Sequence, residues 1–229
     1  MLAIWIIWKG RNQLVFENKE LKSGLALDIN HRTLEYFHCA GKPLGMKRKI
    51  VKQVRWEKPC TGWLKLNTDD ASMGNTGLAG GEGLLRDENG SWVGGFSRKI
   101  GVASSFIAEL WALRDGLLLC RQRNAQAVAI EVDASAIANA FNLLANSNTI
   151  VSAIMDDCRL LLNQIPQVSI RHIYREANRS ADWLANFGLN LDSEFESFAG
   201  PLVDLIPVLE ANSRRLYCNR QCTEPVFDV

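Results

Sequence analysis

From residue 61 onward the spacing of apolar residues switches between a period of two and a helical period, and each run predicts one element. WLKLNTD (63–69) sets Leu64, Leu66 and Thr68 against Trp63, Lys65, Asn67 and Asp69, the pattern of a half-buried strand with Asp69 at its end. Residues 74–83 are rich in glycine. GLLRD (83–87), the turn Glu88-Asn89-Gly90 and WVGGFSRKI (92–100) then form a hairpin. Ser104 or Ser105 can cap a helix running to about residue 123. AVAIEVD (127–133) is a short β-rich run, read as a buried strand. Helical segments follow over about 134–146 and 150–164, parted by the polar 146–149. VSIRHIY (168–174) is a fifth strand and 177–187 a closing helix. The order β-β-β-α-β-α-α-β-α predicts an α/β domain over 61–190, with a mixed five-stranded sheet flanked by helices.

Outside that stretch the pattern weakens. Trp5, Trp8, Val15 and Phe16 stand at roughly helical spacing and predict an amphipathic N-terminal helix, followed by a basic linker to residue 60. Residues 191–229, with scattered prolines, read as an irregular tail. Apolar residues make up 47% of the 229, enough for one good core and too many for a disordered chain. The apolar opening 1–8 is too short to span a bilayer, has no basic residue before it and has no small-residue cleavage site after it. The expectation is an intracellular monomer, in nucleus or cytoplasm, with no membrane partner. Six cysteines lie too sparsely for a disulfide framework, and Cys218 and Cys222 have ligand-like spacing but no second pair nearby. They read as free thiols, and His31, His38 and Cys39 form no metal cluster.

The net charge of +1 conceals a split: +7 over residues 1–59, −2 over 60–190 and −4 over 191–229. The positive part is concentrated in residues 42–58 (KPLGMKRKIVKQVRWEK), which is either a phosphate-contacting segment or a solvated linker.

Against this background four acids stand out by position. Asp69 and Asp133 each end an apolar strand, and if those strands lie parallel and adjacent their carboxylates meet at one sheet edge. Glu109 lies early on the first helix, and Asp182 on the last, one turn after Asn178. Converging carboxylates repel unless cations neutralise them, and oxygen-only ligands suit Mg²⁺ or Mn²⁺. Two such ions ~3.5–4 Å apart activate a water, stabilise a leaving oxygen and neutralise a phosphoryl group, with no His, Ser or Cys nucleophile.

KLNTD (65–69), GLLRDENGSWVGGFS (83–97), AELWALRDGL (108–117), EVDAS (131–135) and HIYREANRSADWLAN (172–186) together resemble the plant ribonuclease-H-like domains of non-LTR retrotransposons, over residues 61–190. IWIIWKGRNQLVFE (4–17) is similar to the segment upstream of that domain in such elements. The resemblance implies a ribonuclease-H-like fold, cleavage of the RNA strand of RNA–DNA hybrids to 3′-hydroxyl and 5′-phosphate ends, and metal ligation by Asp69, Glu109, Asp133 and Asp182. Asn178 matches an asparagine of the closing-helix motif: either it orients substrate or a ligand water, or it is an exposed capping amide. Arg171, Arg175 and Arg179 form either a phosphate-facing patch or a solvated face, and Trp183 reads as a core or rim aromatic. Three features depart from the family. Asp70 stands where glycine follows the first acid, no histidine lies between Tyr174 and Asp182, and 134–164 holds a single basic residue, Arg159. His172 falls inside a strand and reads as packing. The competing expectation is a catalytically weak or inactive nucleic-acid-binding module derived from a retroelement. Integrase-like or exonuclease domains space their acids differently.

Overall fold

The alternating run at 63–69 becomes a strand that continues three residues beyond its pattern. The computed structural model describes residues 15–16, 49–72, 77–142, 151–188 and 191–223. In chain order the strands are β1 (Lys49–Val54), β2 (Leu64–Ser72), β3 (Gly77–Arg86), β4 (Trp92–Ala103), β5 (Ala127–Val132), β6 (Gln167–His172), β7 (Phe195–Phe198) and β8 (Cys218–Thr223). The helices are α1 (Ser105–Gln122), α2 (Ser135–Asn142), α3 (Val151–Leu162), α4 (Arg179–Gly188) and α5 (Ile206–Ser213), with short 3-10 turns at Arg175–Ala177 and Val203–Leu205. The chain divides into two compact units, Met1–Gly45 with Asn146–Ala153 and Met46–Ala145 with Ile154–Val229. Residues 15 and 16 are helical, while the rest of the expected N-terminal helix, residues 42–48 of the basic segment, and His31, His38 and Cys39 lie outside the described residues. No described helix is long and apolar enough to cross a membrane.

The predicted order over 61–190 is the observed one. The sheet runs β6-β5-β2-β3-β4-β7, with β2, β5 and β6 parallel and the β2-β3-β4-β7 side antiparallel. Its sixth strand corrects the expectation of five: β7 comes from the segment read as an irregular tail and pairs along β4 from Gly95↔Phe198 to Arg98↔Phe195. Only four residues long, with Phe195 half-exposed, β7 gave too short an alternation to register as a strand.

Helix α1 starts where Ser104 Oγ accepts the Ile107 amide, and it buries Phe106, Leu110, Leu113 and Leu117 on one face of the sheet. It packs backbone against strand. A Cβ on Gly81 of β3 would lie 3.0 Å from the Ala108 carbonyl oxygen and from the Ala112 nitrogen, so only glycine admits this approach. Helix α4 covers the opposite face, burying Ala181, Leu184 and Ala185 over Leu84 and Phe198.

A second correction concerns the linker. Trp56 is 3% exposed and belongs to the core. Its Nε1 donates to Asn67 Oδ1 at 3.0 Å, and the guanidinium of the buried Arg86 lies 3.6 Å from the centroid of its ring. Asn67 Oδ1 also accepts from Arg86 Nη2 (2.8 Å), while its Nδ2 donates to Glu131 Oε2 (2.9 Å) and Asn178 Oδ1 (3.1 Å). Glu131 is in turn held by Lys65 Nζ at 2.6 Å and by Arg171. One amide thus links the segment before β2, strands β3 and β5, and the entry to α4. Asn67→Ala leaves several buried polar groups without partners at ~1–3 kcal/mol each. Urea unfolding is expected to register a loss above about 3 kcal/mol, and a loss under about 1 kcal/mol would remove Asn67 from this role.

Candidate active site

Pairing between β2 and β5 ends at Thr68↔Val132, while β2 continues to Ser72 alongside β3. The sheet therefore has a notch beside Asp69, which lies inside its strand rather than at its end. Asp133 follows the last residue of β5, and Glu109 reaches the notch from the second turn of α1. Carboxylate oxygens of Asp69, Glu109 and Asp133 all lie within 4.8 Å of one another. Asp182, the fourth residue of α4, stands at the rim with its side chain 32% exposed and its Oδ1 bound by Arg175 Nε at 2.7 Å and Nη2 at 2.6 Å. All four expected acids are thus in one neighbourhood, three tightly clustered and one at the mouth.

The electrostatics of this notch are unfavourable for a bare protein. Burial, then the charges of Asp133, Asp182 and Asp70, push the Asp69 carboxyl well above the usual range, with Arg175 opposing. Glu109 is pushed up by burial and by Asp133, to which its protonated form would donate, and by Asp69 and Asp70. In their charged forms Asp69 Oδ2 and both Glu109 oxygens are buried without a donor. A native fold seldom leaves buried acceptors orphaned, and oxygen donors this close are the donor set of a hard divalent cation. The residues present fit such an ion.

The remaining expected contacts divide. Arg175 and Arg179 are exposed beside Asp182, which is compatible with a phosphate-facing pair and with a solvated face alike. Arg171 is bound to Glu131 instead. Asn178 is 1% exposed, accepts from Asn67 and donates to the Thr68 carbonyl at 2.8 Å, so it anchors β2 to the closing helix and is not available to a substrate. An amide before a helix looks like a cap in sequence, and its burial depends on a strand 110 residues away. His172 is exposed, its ring edge-on to Tyr174 at 5.5 Å, where packing had been expected. Asp70 lies on the α1 side of β2, opposite Gly81, and accepts from Ser105 Oγ at 2.8 Å.

One site residue escaped sequence reasoning. Glu82 lies directly across from Asp69 on β3, fully buried, with Oε1 accepting from Ser97 Oγ at 3.3 Å and Oε2 unpartnered. Helix α4 closes over it at Gly188, where any Cβ would overlap Ser97 Oγ and Glu82 Oε1. Burial and the charge of Asp69 push its carboxyl up to about 10, so the acid is neutral at pH 7. The available signal was an acidic residue at an inward position of the otherwise apolar, glycine-rich 77–85.

The sequence profile of the family described as "Reverse transcriptase-like" matches residues 67–188, more than half of the chain. A protein of Arabidopsis thaliana, named as a putative ribonuclease H protein, is 36% identical over 210 residues, 90% of this chain. The chain spans only 33% of that relative's length. Among solved structures, RNase H1 of the halophilic archaeon Halobacterium salinarum is 26% identical with a TM-score of 0.53, over 56% of this chain and 98% of that one. The N-terminal RNase H domain of a Mycobacterium tuberculosis protein gives 22% and 0.53, over 56% and 94%. LC11-RNase H1, solved in complex with an RNA/DNA hybrid, gives 23% and 0.51, over 56% and 96%. These neighbours share the ribonuclease-H-like fold.

The raised Glu82 carboxyl has a consequence for stability. Between pH 4.5, its ordinary value, and about 10 the folded chain holds a proton that the unfolded chain releases. Stability of the metal-free protein therefore falls as pH rises through that window, by up to about 1.4 kcal/mol per pH unit per proton. Asp69 and Glu109 act with the same sign. Glu82→Gln, isosteric with the neutral acid, is expected to flatten the decline and raise the unfolding midpoint at pH 8. Parallel stability–pH curves for wild type and variant would contradict the assignment.

Proposed function

The chain belongs to the reverse transcriptase-like family of the ribonuclease H superfamily, and from that premise we propose that it is a metal-dependent endoribonuclease cleaving the RNA strand of RNA–DNA hybrids. The observation that carries the reading is the approach of carboxylate oxygens of Asp69, Glu109 and Asp133 within 4.8 Å, those of Asp69 (Oδ2) and Glu109 being buried without a donor, with Asp182 at the rim. Asp69, Glu109, Asp133 and Asp182 would hold Mg²⁺ or Mn²⁺, in all two ions. Bound there, such ions supply an activated water, a stabilised 3′-oxygen leaving group and neutralisation of phosphoryl charge.

The chain's own groups set the rest. Hydrolysis leaving 3′-hydroxyl and 5′-phosphate ends breaks the P–O3′ bond and adds the water oxygen to phosphorus. Arg175 and Arg179 stand beside the exposed edge of Asp182, where they would meet the phosphate oxygens and orient the scissile group. Asn178 and Asn67 act at one remove, fixing the backbone at Thr68, next to Asp69. A retroelement origin is supported by the family's description as reverse transcriptase-like. A second reading, a hybrid-binding module of low turnover, is favoured by one observation: Asp182 is already neutralised by Arg175 and stands outside the close cluster.

An assay on a labelled hybrid separates the two readings. The purified chain is expected to cut the RNA strand with Mg²⁺, not with chelator, and to leave duplex DNA intact. Asp69→Asn and Asp133→Asn are expected to abolish cutting while folding at least as stably as wild type, since each relieves repulsion in the metal-free protein. Wild-type rates in either folded variant would end the proposal.

Asp70 supplies a further test. Its charge adds to the negative potential at Asp69, Glu82 and Glu109. At an effective dielectric of ~20 a unit charge ~8 Å from the incoming phosphate opposes it by about 2 kcal/mol before screening. Asp70→Gly is expected to raise kcat/KM by about tenfold at saturating Mg²⁺. A ratio near one, or a slower variant, would show that Asp70 is spent on Ser105 and not felt by the substrate.

A further inference from the structure

The two segments read as linker and tail meet in an antiparallel ribbon, β1 with β8, whose register places Lys52 opposite Arg220. Like charges directly across a strand pair are destabilising. Here both face one ring: Lys52 Nζ is 5.2 Å, and the Arg220 guanidinium 4.6 Å, from the centroid of Tyr174. Among the described residues the one acid bound to this pair is Glu176, which Arg220 Nη1 meets at 2.6 Å, so within them the cross-strand pair keeps a surplus positive charge. Arg55, just past β1, lies over the ring of Tyr217, just before β8, at 4.5 Å. Residues 49–58 and 214–223 each carry a net charge of +3, in a chain whose total is +1.

Position turns this patch into more than surface charge. Tyr174 and Glu176 hold the ribbon, and Arg175, between them in the chain, holds Asp182. The ribbon is therefore attached to the same three residues that present the rim acid of the site. Arg175, bound to Asp182, and Arg179 are both exposed in the same stretch of chain, between the residues that hold the ribbon and the rim acid. A polyanion that brings one phosphate to the acid cluster would run its neighbouring phosphates along this basic flank.

We infer that the β1–β8 ribbon is a second nucleic-acid-binding surface, contacting phosphates outboard of the acid cluster through Lys52 and Arg220. The inference rests on the nuclease reading for the position of the cleaved phosphate, but the binding itself does not require turnover. Lysine and arginine reading phosphate charge alone make the contact blind to sequence and to sugar.

The test is binding of the full chain, in chelator, to a labelled RNA–DNA hybrid and to a DNA duplex across a salt series, with cleavage in Mg²⁺ measured in parallel. The paired substitutions Lys52→Gln and Arg220→Gln are expected to lower affinity for both duplexes about tenfold at low salt. They should also make the slope of log K against log salt shallower by about 1.4–1.8, at ~0.7–0.9 for each phosphate that is no longer neutralised. Lys52→Gln alone breaks no ion pair among the described residues and serves if the double variant fails to fold, with about half that change in slope. Glu176→Gln removes the ion pair but keeps both cations, and is expected to bind as well as wild type or better. Unchanged slopes in the lysine and double variants would overturn the inference, as would an equal loss of affinity in Glu176→Gln. A wild type that binds with the expected salt dependence yet cuts nothing sinks the nuclease reading and leaves the ribbon standing. A wild type that cuts while the double variant keeps its affinity and salt slope sinks the ribbon alone, and a wild type that binds neither duplex sinks both.

Discussion

Asn67 is a neutral side chain buried among charges, and its amide joins four of the parts that position the site: the segment before β2, β3, β5 and the entry to α4. Its oxygen accepts from Trp56 and Arg86, and its nitrogen donates to Glu131 and Asn178. No charged residue could serve both sets, because a carboxylate has no donor for Glu131 and a cation no acceptor for Arg86. Asn178 then spends its own amide nitrogen on the Thr68 carbonyl, one residue from Asp69. The position of the first acid is thus set by hydrogen bonds reaching β3, β5, the start of α4 and the segment before β2, and losing one partner strands others that are equally buried.

The same face of β2 changes sign along its length. Lys65, Asn67 and Asp69 share it at two-residue intervals, so a buried cation and a buried acid stand roughly 13 Å apart with an amide between them. At the cationic end Lys65 and Arg86 are both held below their ordinary pKa by burial, Arg86 down to about 9, and Glu131 is the single buried anion beside them. A buried pair such as Lys65–Glu131 seldom adds net stability over apolar residues of the same volume. Its return is register: Glu131 is the parallel partner of Asn67, and a one-residue slip of β5 would move Asp133 away from the notch. At the acidic end the charge of Arg175 and single hydrogen bonds from Asp70 N and Ser97 Oγ offset the burial of Asp69 and Glu82 only in part, and the Glu109 oxygens have no donor. The fold accepts instability there, and a bound cation would relieve it.

What could be read from the sequence follows from how local each signal was. The acids showed because strand alternation and helix position, properties of a few neighbouring residues, picked out Asp69, Glu109, Asp133 and Asp182, and the family resemblance is what implied that the four act together. Asn178 was harder to read for the opposite reason. An amide before a helix looks exposed until the distant strand that buries it is known. Glu82 was passed over because its neighbours are glycines, which blur a period-two pattern. Its role appears only when β3 is set against β2 in register, opposite Asp69.

The flanks show the same limit at larger scale. A domain bounded at residues 61 and 190 by pattern alone would leave out Trp56, and with it a donor to Asn67 and the ring that covers Arg86. It would also leave out β7, which occupies the β4 edge beside the antiparallel half of the sheet, and β8, whose Arg220 answers Glu176. Exposed strand edges pair with whatever strand is available, so covering β4 removes a route to association as well as adding a core residue in Phe198. Each of these short segments lacks the length for a periodic signature. Each is fixed by one or two side chains that meet a charge or a ring already placed by the central sheet. The compact unit is therefore larger than the span its sequence pattern advertises: Trp56 bears on β2 through Asn67, β8 on the turn at Arg175 through Glu176, and β7 on the edge of β4.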